Sequence, residues 1–241
     1  MTTLPTRPEA VLFDCDGLLV DSEPWWEAAE IEMFARRGLV LTPEERAPLM
    51  GKTSKEFADH LVERSRGPRE VVGGAERRSE LRGVESGEYD QRDAIAKELL
   101  VTVAKLIREN ALAMPGAVEL VRAVAAAGVP MAVVSNSPRN IVEAGLAGGR
   151  LDGLIHEIVS FEDVTRAKPA PDPYLIACER CGATPARSVG FEDSPVGLAS
   201  VVAAGLFAVA VPSEGVGELA GDLVVPSLAD PVLTQWVASW R

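Results

Sequence analysis

Short, uniformly apolar runs alternate with helix-length segments along most of this chain, and that alternation limits the fold more than any other feature. The runs are residues 10–13, 129–135, 155–160, 188–191, 206–211 and a shorter one at 223–225. They are too apolar for strands that expose one face, and they match parallel strands covered on both faces. Between them the pattern predicts helices over 117–127, 138–147, 172–181 and 195–204, with Gly128 and Gly182 placed to end two of them. Strand alternating with helix implies right-handed crossovers and a doubly wound, Rossmann-like parallel sheet of the α/β class.

Residues 23–112 break the alternation. Helical periods at 24–37, 42–49, 54–65 and 91–110 follow one another with no strand between them. This stretch holds 15 basic and 18 acidic residues in 90 positions, against 9 and 18 in the other 151. The shift in charge marks a separate helical module inserted after the first strand, with the α/β core formed by 1–22 and 113–241. Crossings near 21–23 and 113–116 would act as a hinge. Residues 66–92 are polar, contain glycines and are weakly periodic. A partly irregular or mobile segment is expected there, and no chemistry is assigned to it.

Composition removes several classes. With 47% apolar and 25% charged residues, the chain of 241 is an ordinary globular one. Its net charge of −12 argues against a nucleic-acid partner, which would call for a basic excess. Three cysteines cannot build a disulfide framework, and MTTLPTRPEA has no apolar secretion segment, so a cytoplasmic enzyme is expected. The acidic surface favours a soluble monomer. Residues 194–213 carry no charge over 20 positions, about the length that a bilayer requires. But Pro195, Gly197, Gly205 and Pro212 punctuate them, and the simpler reading is helix, turn, strand, with no membrane partner.

Chemistry gathers at the carboxyl ends of the expected strands, where open α/β sheets place their sites. The first strand ends in Asp14-Cys15-Asp16-Gly17 and the fourth in Glu192-Asp193-Ser194. Either pair alone could be turn or cap residues. Together they form an oxygen-rich cluster suited to Mg²⁺, while nitrogen and sulfur ligands for zinc are scarce. The second strand ends in Ser135-Asn136-Ser137-Pro138, a hydroxyl and an amide at a helix start, where an anion could bind or a plain cap could form. Lys168 follows the third strand in a proline-rich loop. The chain uses 19 arginines and only five lysines, so a lysine in that place is informative. Its compact ammonium could neutralise a phosphoryl oxygen or keep an aspartate ionised.

The order of these four groups resembles the haloacid dehalogenase-like (HAD) hydrolase superfamily. FDCDGLLVDSEP, VVSNSP, AKPAPDPY and GFEDSPVG are similar to its four motifs, and the resemblance spans nearly the whole chain. It is nearest to the branch with β-phosphoglucomutase and small-sugar phosphatases. The resemblance implies Mg²⁺-dependent phosphoryl transfer on a small phosphate ester. It also implies that the α/β core is catalytic and that the helical insert 23–112 is a cap domain. By the same resemblance, Asp14 is the nucleophile and Asp16 the proton donor and acceptor. Mg²⁺ lies on Asp14, the Asp16 carbonyl, Asp193 and, directly or at one remove, Glu192. Ser135 and the amide around Asn136 hold phosphoryl oxygens, and Lys168 offsets the charge between Asp14 and the phosphate.

Within that branch the residues favour a phosphatase. The family's mutases carry a histidine twelve positions after the nucleophile, where this chain has Trp26. The cap loop Met50-Gly51-Lys52-Thr53-Ser54 has Ser54 where a mutase arginine is expected. Lys52 is the cap candidate for reaching substrate. A β-phosphoglucomutase-type mutase and a non-catalytic phospho-ligand binder stay open as alternatives. Gly51-Lys52-Thr53 is not a P-loop, because Arg46 stands where a glycine is required. Cys178 and Cys181 form a CxxC inside a helix pattern with no second pair, which fits burial rather than metal or redox use. With His60 and His156 on different modules, a histidine-based triad is not expected.

Overall fold

The computed structural model describes residues 4–49, 52–66, 81–213 and 216–240, and for 81–90 the backbone alone. The strands are β1 (Val11–Phe13), β2 (Met131–Val134), β3 (Glu157–Val159), β4 (Val189–Glu192), β5 (Phe207–Ala210) and β6 (Leu223–Val224). The helices are α1 (Glu23–Ala35), α2 (Pro43–Arg46), α3 (Ser54–Arg66), α4 (Leu81–Asn110), α5 (Ala117–Ala126), α6 (Arg139–Gly148), α7 (Asp172–Arg180), α8 (Pro195–Ala203) and α9 (Pro231–Ala238). The chain divides into two compact units, Met1–Glu23 with Ile107–Arg241, and Pro24–Leu106.

The larger unit carries one parallel sheet in the order β3-β2-β1-β4-β5-β6. Leu12 of β1 pairs with Ala132 on one side and Gly190 on the other. The chain winds outward from β1 to β3, then returns to β4 and winds the other way. That reversal opens a crevice at the carboxyl ends of β1 and β4. All three β1 side chains are buried, as a doubly covered strand requires. Leu12, Val134, Tyr174, Leu198 and Val201 belong to one buried cluster.

Local chemistry sets the element ends. Thr42 caps α2 by accepting from the Glu45 N–H, and Pro43 takes the first helical position. The helix expected over 42–49 ends early and tightens into a 3₁₀ turn at Ala47–Leu49, where Pro48 has no N–H for an α-helical bond. Of the uncharged stretch 194–213, the first part is α8, Gly205 turns with φ +80°, and β5 follows. No helix among the described residues is long and apolar enough to cross a membrane.

Two expectations need correcting. Residues 67–80 lie outside the described residues, but 81–92, expected to be partly irregular, are helical in α4. Helix-favouring Arg and Glu recur there, so propensity acts where periodicity is weak. Helix α9 was not anticipated. Asp230 caps it at the Val232 N–H, and it buries Leu233, Trp236 and Val237. The Trp236 indole N–H donates to the Pro5 carbonyl at 2.7 Å.

In the smaller unit, Phe34 meets Phe57 edge-on, and Glu98 pairs with both Arg36 and Arg37. The division between the units falls inside α4, earlier in the chain than residue 113. Gly148 of α6 leaves room for the last turn of that helix, since a Cβ there would lie 2.6 Å from the Ile107 carbonyl oxygen.

A charged clamp holds the turn after β3. Asp163 accepts from the Ser160 N–H at 2.8 Å, the Ser160 hydroxyl at 2.6 Å, Arg139 at 2.9 Å and Arg180 at 2.6 Å. Partial burial pushes this carboxyl up, but its donors outweigh burial and hold it well below the usual range. A carboxyl lowered by folding stabilises the protein above its unfolded value, and that stabilisation fades as pH falls through the folded value. Asp163→Asn is expected to cost about 2 kcal/mol at neutral pH. The gap to wild type should shrink below about pH 4, as read by urea unfolding at several pH values.

Candidate active site

The site is assembled within the larger unit from the ends of β1, β2 and β4 and the loop before α7. After Phe13 the chain leaves β1 through Asp14 to Gly17, and the Asp14 N–H donates to the Phe191 carbonyl at 3.0 Å. Gly17 has φ +83°, and a Cβ on it would lie 2.5 Å from Asp193 Oδ2. Only glycine lets this turn pass so close to the acid of the neighbouring loop.

Strand β4 delivers Glu192 and Asp193. The helix cap here is Ser194, whose hydroxyl accepts from the Gly197 N–H at 3.1 Å, so capping does not account for Asp193. A Cβ at Gly197 would fall 2.0 Å from the Glu192 carboxyl atoms, so helix α8 closes against that side chain.

Lys168 lies buried among these acids. Its Nζ donates to Asp14 Oδ1 at 2.6 Å, Glu192 Oε1 at 2.6 Å and the Val134 carbonyl at 2.7 Å. Three donors meet three acceptors, which satisfies the ammonium. Desolvation is the largest single influence on it and works against the charge. The two carboxylates outweigh that, and the ammonium is held above its ordinary range. Tyr174 of α7 donates its hydroxyl to the same Glu192 Oε1 at 2.8 Å, and its ring centre lies 5.2 Å from the Lys168 Nζ.

Asp14, Glu192 and Asp193 are all buried, and each offers an oxygen within 4.8 Å of the others. Burial is the main force raising the Asp14 carboxyl well above its usual value, with Lys168 opposing it and Glu192 adding to it. Burial and then Glu192 push Asp193 up to about 6. Up to three negative charges thus face one ammonium in a dry corner. An oxygen-binding divalent cation fits this donor set, because it supplies the missing charge with the ligand type that is present. The Asp16 side chain is not part of that group of three.

The Asp16 carboxylate is held by hydroxyls. Ser22 donates to Oδ1 at 2.8 Å, while Ser137 and Ser135 donate to Oδ2 at 2.8 and 3.2 Å. The Asn136 side chain braces the lysine loop through both backbone polar groups of Lys168. Its Oδ1 accepts from the Lys168 N–H at 3.0 Å, and its Nδ2 donates to the Lys168 carbonyl at 3.2 Å. Lys52 belongs to the smaller unit, where it is exposed and ion-paired to Glu56 at 2.9 Å. Met50 and Gly51 of that loop lie outside the described residues.

Sequence reasoning assigned no role to Ser22, Ser137 or Tyr174. Ser22 and Ser137 lie inside the quoted motifs, but nothing in the spacing shows which serine meets Asp16. Tyr174 closes the quoted stretch AKPAPDPY, but nothing in that spacing shows that its hydroxyl meets Glu192.

A family model described as haloacid dehalogenase-like hydrolase matches residues 8–205. The chain is 33% identical to Protein CbbY of Rhodobacter capsulatus, over 92% of this chain and 94% of that one. It is 30% identical to hexitol phosphatase A of Escherichia coli K12, over 95% of each chain. The crystal structure of CbbY from Rhodobacter sphaeroides in complex with phosphate shares the fold, with a TM-score of 0.72 at 24% identity over 93% of this chain and 96% of that one.

Removing the ammonium would leave Asp14 and Glu192 buried without their counter-ion. Lys168→Met is expected to destabilise the protein by about 3–5 kcal/mol. In a thermal melt with chelator present, the midpoint should fall by roughly 10 °C.

Proposed function

The chain belongs to the haloacid dehalogenase-like hydrolases, and on that premise we propose that it is a Mg²⁺-dependent phosphatase of small sugar or polyol phosphates working through an aspartyl-phosphate. It is a hydrolase of phosphate esters. The observation that carries the finer reading is the buried contact of Lys168 with Asp14, beside a second aspartate held by three hydroxyls. One carboxylate is thereby prepared as a nucleophile and the other is kept apart as an acid and base.

In the first step an Asp14 oxygen attacks phosphorus in line. The bond from phosphorus to the ester oxygen breaks as the bond to Asp14 forms. Asp16 gives a proton to the leaving alcohol oxygen. In the second step Asp16 takes a proton from water, whose oxygen attacks phosphorus and frees Asp14. Lys168 fixes the rotation of the Asp14 carboxylate and offsets the charge that gathers beside it. Ser135 and the backbone amides after it would hold phosphoryl oxygens, and Asn136 keeps the lysine loop in place for them. Asp14 and Asp193, with the Asp16 carbonyl and with Glu192 directly or at one remove, would hold Mg²⁺, which when bound supplies charge stabilisation to the transferring phosphoryl group.

The similarity to hexitol phosphatase A over nearly the full chain supports the substrate class, and two residues support a phosphatase over a mutase. Trp26 and Ser54 stand where mutases of this family carry histidine and arginine. A mutase must hold a second phosphate, and losing one cationic contact weakens that hold. Lys52 remains the proposed substrate contact of the smaller unit, to be read as a rise in KM for Lys52→Ala.

The test is phosphate release from a panel of sugar, polyol and nucleotide monophosphates. Release from one or a few esters is expected, abolished by chelator and restored by Mg²⁺. Asp14→Asn and Asp16→Asn should each lower kcat at least about a thousandfold, and acid quenching should trap phosphoprotein in wild type but not in Asp14→Asn. Conversion of a sugar 1-phosphate to its 6-phosphate without phosphate release would overturn the phosphatase reading in favour of a mutase.

A further inference from the structure

We propose that Tyr174 is a positioning residue that sets the Lys168–Asp14 pair through Glu192, an inference that rests on the phosphatase reading above. Tyr174 is fully buried, and its ring packs in the cluster with Leu12, Val134, Leu198 and Val201. Phenylalanine would fill that volume equally well. The hydroxyl therefore needs a separate reason, because a polar atom in an apolar interior destabilises the fold unless it is paired. Its hydrogen-bond partner is Glu192 Oε1, the oxygen that also receives Lys168.

The contacts box in the Glu192 carboxylate. Tyr174 and Lys168 share Oε1, the Ser194 hydroxyl donates to Oε2 at 3.2 Å, and Gly197 leaves no space on the remaining side. Glu192 in turn supplies one of the three acceptors of the Lys168 ammonium, and Asp14 supplies another. The ring of Tyr174 also presents its π system to that ammonium at 5.2 Å, within the range of a cation–π contact. One side chain thus touches the cation directly and also fixes the anion that orients it. Without the hydroxyl, Glu192 Oε1 would keep only the lysine, and the ammonium could follow the carboxylate away from Asp14.

Tyr174→Phe isolates the hydroxyl, because the ring and its packing remain. The expected result is a fall in kcat of about tenfold, with KM changed by less than about twofold. On a Glu192→Gln background the same substitution should cause no further loss, since the effect passes through that carboxylate. The direct readout is the ammonium itself. The chain has five lysines, so in protein labelled with ¹⁵N-lysine the Lys168 signal can be identified by its loss in Lys168→Met. That signal should move in Tyr174→Phe while the other four stay.

An unmoved Lys168 signal would overturn the proposal, whatever the kinetics. So would a kcat loss that persists in full on the Glu192→Gln background, because the route would then bypass the carboxylate. A kcat loss that only tracks a lowered melting midpoint would mean a structural role and would also overturn it. If the wild type releases no phosphate from any ester, the phosphatase reading fails and the kinetic arm falls with it. The ammonium signal would still decide whether Tyr174 positions Lys168.

Discussion

A single ammonium in a dry corner is the contact on which the rest of this site depends. Lys168 reaches Asp14 from the end of β1 and Glu192 from the end of β4, and it is also tied to the last carbonyl of β2. Three separate strands thus converge on one cation. A buried charge without a partner is costly, so the ammonium and the two acids it touches depend on one another. The ion pair of Lys168 with Asp14 and Glu192 is therefore also a tie across the middle of the sheet.

The sheet topology makes the meeting possible. Strands β1, β2 and β4 are neighbours because the winding reverses beside β1, and all three point their carboxyl ends the same way. The loops that leave them must then pass very close together. Gly17 beside Asp193, and Gly197 beside Glu192, mark where a side chain would have closed the space. The two acids at the end of β4 differ in their contacts. Glu192 is spent on Lys168, Tyr174 and Ser194, while Asp193 stays beside Asp14.

The parallel core was legible because its central strands β1, β2, β4 and β5 are largely buried on both faces and read as apolar runs. The acids at the strand ends stood out for the same reason, as charge placed directly beside apolar sequence. Helix α9 escaped notice although Asp230-Pro231 is a good helix start, because the segment follows a loop-rich stretch and is only eight residues long. The first residues of α4 carry no apolar stripe, and periodicity was the wrong signal for them. The hydroxyls around Asp16 and the bond from Tyr174 to Glu192 were beyond reach for a different reason. They join residues that are distant along the chain or set by side-chain rotation, and neither leaves a period or a spacing to read.

The brace between Asn136 and Lys168 bears on how such a site can be inherited. The amide of Asn136 is joined to both the N–H and the carbonyl of Lys168, so the loop after β2 and the loop before α7 form one graftable unit. Transplanting either loop alone from a relative would bring a serine or a lysine of the right kind with its mate left behind. Natural recombination and laboratory chimeras alike would have to move the two together. Variation should then accumulate more freely in loops outside this linked pair.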